Sequence, residues 1–345
     1  MKNENEVGLY DVEERMLRLS DGKDPLVRLK GMIDWEEFRG VLEGALRKET
    51  KGAGGRPPFD YLLMFRILIL QRYYNLSDDQ MEYQILDRMS FMRFLGLKIS
   101  DKVPDAKTIW HFREQLTKRD AIGRLFASFL GSLKRAGLVL HEGSIVDATF
   151  VEVPKQRNTY EENKQIKGGK TPDAWDKNKL ARKDVDARWS RKNGQNFYGY
   201  KDHVKADAGS KLITAYEVTA ATVHDSQMLG ALLEPDEAGQ PLYADKAYIG
   251  KEGIVREKNG EPRISQKGQL NRPLTEEQKE ENRIKSKIRS RVEHIFGFIQ
   301  NSMGGTFIRS IGAARARAMI GLMNLTYNLF RSLQLTKIRG ITASI

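Results

Sequence analysis

Two aspartates interrupt short apolar segments of the kind that form buried β-strands. Asp147 stands within SIVDATF and Asp245 within LYADKAY. A buried carboxylate is costly unless it pairs with a cation or binds a metal. Either aspartate alone is more often a strand-end cap or the buried partner of an arginine. Because each ends an apolar strand, the two carboxylates face one gap if the strands are neighbours.

Glu293 is a third carboxylate in apolar surroundings, within SRVEHIFGFI. Apolar residues recur around it at helical spacing and predict a stripe that faces the sheet: Ile284, Ile288, Val292, Ile295 and Ile299. Glu293 lies about 100° round the helix from Val292. We therefore expect Glu293 at the border of the stripe, directed toward the ends of the strands.

Three carboxylates from two strands and one helix would offer oxygen ligands. Such ligands suit Mg²⁺ or Mn²⁺ rather than zinc. The chain has no cysteine and five histidines, so neither a zinc site nor a disulfide framework is expected. The residue types therefore favour a site for a hard divalent cation.

Positive charge is concentrated toward the C-terminal end of the chain. The net charge is +12, and no Asp or Glu follows Glu293, whereas Arg309, Arg315 and Arg317 do. A surface without acids suits a phosphate-bearing partner such as nucleic acid. The alternative is a basic C-terminal helix that binds no such partner.

Neither a signal peptide nor a membrane span is expected. The first residues, MKNENEVGLYDVEERM, are polar, and the most apolar run, YLLMFRILILQRYYNL, is short and contains Arg66 and Arg72. We therefore expect an intracellular protein without a membrane partner.

The spacing of apolar residues divides the chain into two predicted domains. Residues 1–140 are expected to be almost entirely helical. Residues 141–335 are expected to form a mixed sheet with flanking helices, and residues 336–345 a tail. A polar, basic insert at 154–196 separates the first strand from the next, and is either a flexible loop or a segment that orders on DNA.

A helix-turn-helix is predicted within the helical region, around 78–118. DAKTIWHFREQLTKR would be the recognition helix, with Lys107 and Arg113 available for DNA. Trp110 of the same segment is either part of that surface or part of the core.

In their order and spacing, these motifs resemble the DDE transposases of bacterial insertion sequences, specifically the insertion-sequence-five group. IVDAT carries Asp147, YADKAYIG carries Asp245 and RSRVEHIFG carries Glu293, at spacings of 98 and 48 residues. FYGYKDHV and TAATVHDSQML match the hairpin region. RPPFDYLLMFRILILQRYYNLSDDQMEYQILDRMSFMRFLGL is similar to the helical N-terminal domain of these transposases, so the resemblance covers most of the chain.

One part of the family pattern is incomplete. Related transposases often carry a Tyr seven residues before the Glu, an Arg four before it and a Lys seven after it. Here these positions hold Ser286, Arg289 and Gln300. The departure puts in doubt a lysine contact from this helix to the DNA end, and leaves the metal ligands unaffected.

The resemblance implies an RNase H-like α/β fold, with a mixed five-stranded sheet after an all-helical domain for DNA binding or oligomerisation. It implies that Asp147, Asp245 and Glu293 hold two Mg²⁺ ions, with Mn²⁺ as a substitute, and cleave and join DNA strands. The implied partner is double-stranded DNA, both terminal inverted repeats and target. A homodimer or larger assembly on paired ends, associated with the bacterial nucleoid, is also implied.

Further residues are candidates for DNA contact, each with a structural alternative. Lys201 and His203 either touch the backbone or form a solvated strand face, and Arg289 either touches phosphate or pairs with Glu293. His224 is either close to the site or part of a hydrogen-bonded turn. The remaining candidates are basic residues beside the motifs or near the C-terminal end: Lys246, Arg315 and Arg317.

Two other functions remain open. One is a domesticated DNA-binding protein without catalysis, against which the intact Asp147, Asp245 and Glu293 argue. The other is an RNase H-like repair nuclease, against which the similarity of the helical region to transposases argues.

Overall fold

The computed structural model describes residues 10–21, 24–47, 57–269 and 272–340. Helices fill its first part: α1 (Asp11–Asp21), α2 (Pro25–Met32), α3 (Arg39–Leu46), α4 (Tyr61–Tyr73), α5 (Asp78–Asp87), α6 (Met89–Leu95), α7 (Ala106–Lys118) and α8 (Ala121–Arg135). Side chains cap several of them, since Ser77 and Gln80 form a capping box on α5 and Asp105 accepts from the Thr108 amide of α7. The predicted helical region is confirmed.

A mixed sheet follows, built from β1 (Ser144–Glu152), β2 (Arg188–Lys192), β3 (Gln195–Asp207), β4 (Ile213–Ala220), β5 (Pro241–Ala244) and β6 (Glu261–Ile264). The order β2-β3-β1-β5-β6 forms one path, and β4 pairs with β3. Pairing is antiparallel from β4 through β3 to β1 and parallel from β1 through β5 to β6. The predicted mixed sheet is confirmed, while the predicted five strands become six in the described residues because the short β2 joins.

Gly199 allows β3 to change neighbours. It pairs with Glu152 of β1 and with Arg188 of β2, and the next residue already pairs with Ala220 of β4. Its φ is +149°, and a Cβ there would lie 2.2 Å from the Val151 carbonyl oxygen. Only glycine fits this close approach, so Gly199 lets β2 and β4 follow one another along the same edge of β3.

The insert at 154–196 is folded around a small core of its own. It contains α9 (Tyr160–Lys167), α10 (Lys177–Leu180) and strand β2. Trp175 is 8% exposed and donates through Nε1 to Glu162, which also accepts from Lys179. The segment therefore has defined secondary structure, whereas the choice between a flexible loop and a segment that orders on DNA stays a prediction.

The C-terminal elements are α11 (Leu229–Leu232), α12 (Glu252–Glu257), α13 (Glu276–Arg289), α14 (Arg291–Ser302) and α15 (Ala313–Arg339). The predicted apolar stripe holds except at its start, since Ile288 of α13 also packs, partly buried, against the core. Val292, Ile295 and Ile299 of α14 are buried, whereas Ile284 of α13 is 55% exposed. The helix is interrupted at Ser290, yet α13 and α14 both contact β1 of the sheet.

Helix α15 joins the helical region to the sheet. It contacts α2, α4, α7 and α8 on one side and β4 on the other, and the buried side chains of all these elements belong to one hydrophobic cluster. The helix runs through residue 335, where the sequence predicted a domain end. Within the described part of the chain, no helix is both long and apolar enough to span a membrane.

A buried acid–amide pair lies between α15 and the sheet. Asp202 of β3 is fully buried, and its Oδ1 accepts from Asn324 Nδ2 at 3.0 Å. Among the described residues, Asp202 Oδ2 and Asn324 Oδ1 have no other partner. Burial raises the pKa of Asp202 to about 7, against which the Asn324 hydrogen bond acts. A protonated Asp202 can donate to Asn324 Oδ1, which satisfies both atoms.

Replacement of Asp202 should make the free energy of unfolding less dependent on pH. The unfolded Asp202 ionises near its ordinary value while the folded one keeps its proton up to about pH 7, so the wild type loses stability as pH rises toward 7. Asp202→Asn keeps the hydrogen-bonded pair but has no carboxyl group to ionise. The difference in free energy of unfolding between the variant and the wild type should therefore shift by about 2 kcal/mol in favour of the variant from pH 5 to pH 8. Urea denaturation at both pH values measures this, and an equal difference at both would contradict it.

Candidate active site

The register of β1 and β5 places Asp147 and Asp245 level with each other. Ser144 pairs with Leu242 and Ile145 with Tyr243 in the parallel direction, an offset of 98 residues. Asp147 and Asp245 are separated by the same 98 residues. They therefore lie at matching heights just beyond the last paired residues, where neighbouring strands are about 4.8 Å apart.

The two aspartates belong to different local structures. Asp147 lies inside β1, and its Oδ1 accepts from the Ala148 amide at 2.8 Å. Asp245 directly follows β5 and caps a 3-10 turn at Lys246–Tyr248, with its Oδ1 accepting from the Ala247 amide at 2.8 Å. Each carboxylate keeps its second oxygen free of these backbone bonds, which leaves an acceptor for a cation.

The groups around Asp147 have opposite effects on the pKa of its carboxyl group. Burial raises the pKa of Asp147 above its ordinary value, and the nearby negative charge of Asp245 acts in the same direction. The Ala148 amide, Arg289 and Lys192 act against them. Arg289 Nη1 lies 3.3 Å from Asp147 Oδ2. Two partly buried carboxylates at one edge thus require positive charge, which the guanidinium supplies here.

Tyr248 brings an unpaired donor to the same place. Its side chain is 1% exposed, and its hydroxyl has no hydrogen-bond partner among the described residues. Burial raises the pKa of Tyr248, and the charges of Asp225, Asp147 and Asp245 raise it further. Tyr248 was not among the predicted site residues, although its position three residues after Asp245 puts it on the same side of a helical turn.

These groups fit a divalent cation. Two neighbouring carboxylates and a buried hydroxyl form a set of hard ligands, provided that a cation displaces Arg289 from Asp147 Oδ2. Mg²⁺ commonly uses one or two carboxylates together with water. No group of three or more His, Cys, Asp or Glu with metal-binding geometry occurs in the described ranges. The structure therefore brings two of the three predicted carboxylates together and does not assemble the triad.

Glu293 is the predicted carboxylate that does not lie with Asp147 and Asp245. It is exposed on α14, where it lines a shallow depression with Ser290 and His294. Val292 beside it is fully buried, and a rotation of about 100° from a buried residue turns Glu293 outward. The position next to Asp147 is taken by Arg289 instead. The assignment of Glu293 as third ligand stays a prediction.

Several predicted DNA contacts are engaged within the protein. Arg113 forms two hydrogen bonds with Asp78, at 2.6 and 2.8 Å. Arg315 forms two with Glu114, at 2.7 and 2.9 Å. These guanidinium groups reach DNA only if the ion pairs open or if the free edge of the guanidinium is used.

On the sheet, two further candidates face inward, against the expectation of a solvated or DNA-facing strand. Lys201 is 9% exposed and donates to Asp225 Oδ1 at 2.7 Å, and His203 is fully buried with Nε2 2.8 Å from Thr219 Oγ1. Burial lowers the pKa of His203 to about 4, so it is neutral at pH 7. Both side chains lie close to Asp225, which follows β4 in the chain.

The remaining candidates are exposed. Lys107 on α7, Lys246 beside Asp245 and Arg317 on α15 are open to a partner. His224 is exposed too, and it caps the 3-10 turn at Asp225–Gln227, with Nδ1 2.9 Å from Ser226 Oγ. Of the two predicted alternatives for His224, the structure shows the hydrogen-bonded turn. The neighbouring Asp225 acts on Tyr248 together with Asp147 and Asp245.

Comparison with known proteins gives two family matches. The Transposase DDE domain matches residues 140–329, and the Transposase domain (DUF772) matches residues 14–115. Among solved structures, the cryo-EM structure of the piggyBac transposase synaptic complex with hairpin DNA is similar, with 11% sequence identity and a TM-score of 0.44. That similarity covers 93% of this chain and 77% of the other.

The Arg289 contact should compete with a cation at the aspartates. Arg289→Gln removes a positive charge 3.3 Å from Asp147, so Mn²⁺ should bind about fivefold more tightly, equivalent to about 1 kcal/mol for a partly buried pair. Isothermal titration with Mn²⁺ measures this. Lys287→Gln, which removes an exposed charge two residues away, is the control. Weaker Mn²⁺ binding by the Arg289 variant would contradict the competition.

Proposed function

The chain belongs to the DDE transposase family, and we propose that it cuts and joins DNA at the terminal inverted repeats of its own insertion sequence. The match over residues 140–329 makes it a transposase. The level placement of Asp147 and Asp245 carries the proposal about the reaction, because in-line displacement at phosphorus needs a hard cation held at one point.

In this proposal Asp147 and Asp245 hold two Mg²⁺ ions, for which Mn²⁺ can substitute, and Glu293 completes the ligand set. When bound, these ions supply a lowered pKa for the attacking hydroxyl and charge stabilisation for the leaving oxygen. The protein itself fixes the carboxylates by β-pairing and by the amides of Ala148 and Ala247. Preset acceptors of this kind need little reorganisation during the reaction.

Positive side chains near the aspartates would bind the phosphodiester. Lys192 acts electrostatically on Asp147, Arg289 contacts it, and exposed Lys246 follows Asp245 directly. A DNA phosphate that enters with its cation gives Arg289 a second anionic partner. We propose that Arg289 then leaves Asp147 for the phosphate.

For Glu293 to reach the cation, only the first turn of α14 must change. That turn follows the break at Ser290, and the Glu293 amide donates to the Ser290 carbonyl in a three-residue step. The buried residues Ile295 and Ile299 hold the later turns in place. A rearrangement of the first turn therefore has to preserve the packing of Val292, which is buried in that turn.

The helical region would provide DNA recognition and assembly. Helix α5 packs against both α6 and α7, and α7 exposes Lys107, Trp110 and His111 on one side. This side suits a recognition helix in a major groove. We further propose that the protein acts as a homodimer or larger assembly on paired DNA ends, on nucleoid DNA in the bacterial cytoplasm.

One observation favours a second candidate function. The exposed Glu293 leaves the site with two carboxylates, which is the arrangement expected of a domesticated DNA-binding protein that no longer catalyses. Catalysis by purified protein on a DNA substrate with the terminal repeats separates the two functions.

The aspartate pair should be essential for strand cleavage. Asp147→Asn and Asp245→Asn each remove a negative charge from the cation site, so Mg²⁺-dependent cleavage of terminal-repeat DNA should fall by at least about 1,000-fold. Binding of the same DNA, measured by fluorescence anisotropy, should stay within about twofold. Glu152→Gln on the same strand is the control. Cleavage that survives either aspartate variant would overturn the proposed site.

Glu293 has a separate test. Glu293→Gln should abolish Mg²⁺-dependent cleavage if the carboxylate joins the cation in the DNA complex, whereas Glu277→Gln on α13 should not. Gel assays of cleavage and strand transfer measure both. Full activity of the Glu293 variant would remove it from the ligand set and leave the aspartate pair as the site.

A further inference from the structure

A cavity of about 310 Å³ lies where the helical region meets the entry to α15. Its walls come from the end of α4, from α5 and α7, and from the segment 308–311 that leads into α15. The cavity is distinct from the aspartate pair, since none of its lining residues belongs to the sheet. It is lined by four arginines, Arg72, Arg113, Arg309 and Arg315, and by two acids, Asp78 and Glu114.

Arg72 is a buried cation without an acidic partner. Its side chain is 2% exposed, and its Nη2 donates to the Gly305 carbonyl at 2.6 Å. Its Nε has no hydrogen-bond partner in the described part of the chain. Burial lowers the pKa of Arg72 to about 10, and the charge of Arg309 lowers it further. Burial of an unpaired guanidinium costs several kcal/mol, so a compensating anion would be strongly favoured.

Arg309 adds a second uncompensated charge. It is exposed at the rim of the cavity, where its Nη1 donates to the carbonyl and side-chain oxygens of Asn75, both at 3.3 Å. Both partners are neutral. Arg72 and Arg309 thus repel each other across the cavity, with only neutral oxygens to accept from them.

The two acids do not neutralise this pair. Asp78 is bound by Arg113 and Glu114 by Arg315, each through two hydrogen bonds. Each acid is therefore matched by its own arginine, and Arg72 and Arg309 remain in excess. A tetrahedral anion accepts hydrogen bonds from several guanidinium groups at once, which makes phosphate the anion that fits best.

We propose that this cavity binds a phosphate group through Arg72 and Arg309. Resting on the proposed function, we assign the phosphate to the DNA backbone. The surroundings support that source, because Trp110 is 47% exposed at the rim, and exposed Lys107 and Arg317 lie on α7 and α15, which both contribute lining residues. The phosphate would hold DNA against the junction of the helical region and the sheet.

Arg309→Gln tests the site, because Arg309 is exposed and its loss leaves the buried Arg72 contact intact. Inorganic phosphate, titrated calorimetrically without Mg²⁺, should bind the variant about tenfold more weakly, as expected for the loss of a charge-assisted hydrogen bond. Arg309→Lys should retain part of the affinity. Glu114→Gln, which frees Arg315, should bind phosphate more tightly.

A short duplex of unrelated sequence tests the source of the phosphate. For Arg309→Gln, the slope of log affinity against log salt should fall by about one. Arg256→Gln, which removes an exposed charge from α12 on the opposite side of the sheet, is the matched control and should change neither phosphate nor duplex binding by as much.

The outcomes separate this proposal from the proposed function. Unchanged phosphate affinity in Arg309→Gln would overturn the site, whatever the cleavage assays show. Weaker phosphate binding with an unchanged duplex slope would support the site and overturn DNA as its source. Because both titrations omit Mg²⁺ and cleavage, they remain valid if the aspartate variants prove fully active.

Discussion

The repulsion between two carboxylates at one edge of the sheet governs the structure around them. The 98-residue register of β1 and β5 brings Asp147 and Asp245 level, and burial prevents water from screening them fully. Backbone amides, the Arg289 guanidinium and the nearby Lys192 offset this negative charge. Each of these groups belongs to a strand, turn or helix that is held by packing outside the site. The site is therefore as rigid as the sheet that sets the register of the two aspartates.

Helix α15 connects the sheet to the helical region, and polar contacts contribute to its attachment to the sheet. Asn328 pairs through its amide with both the N–H and the carbonyl of Ile213, at the start of β4. Asn324 holds Asp202 on the central strand. Buried polar pairs of this type tolerate only one alignment of helix and sheet, because a shifted helix would leave their donors and acceptors unsatisfied. The hydrophobic contacts provide stability, and the amides fix the register.

The sequence predicted what depends on local pattern and failed where three-dimensional packing decides. The spacing of apolar residues predicted the helices and strands, and two acids in apolar strands predicted the aspartate pair. Apolar spacing predicted one helix through Ser290, whereas the structure has two helices, α13 and α14, that meet there. Glu293 is exposed because it lies about 100° round α14 from the buried Val292. The pairing of Arg113 and Arg315 with acids distant in sequence was equally inaccessible, since a count of charges does not show which are already matched.

The anchoring of the insert has a consequence for how such a protein can diverge. Residues 154–196 leave β1 and return to β3 at nearly the same point, where the Val153 amide donates to the Tyr198 carbonyl at 3.1 Å. The register of the aspartates is set by strand pairing outside this segment, and the insert packs around its own Trp175. Residues can therefore be gained or lost there at a small entropic cost. The distance between the aspartates along the chain is free to change in descendants of this protein, while their distance in space is not.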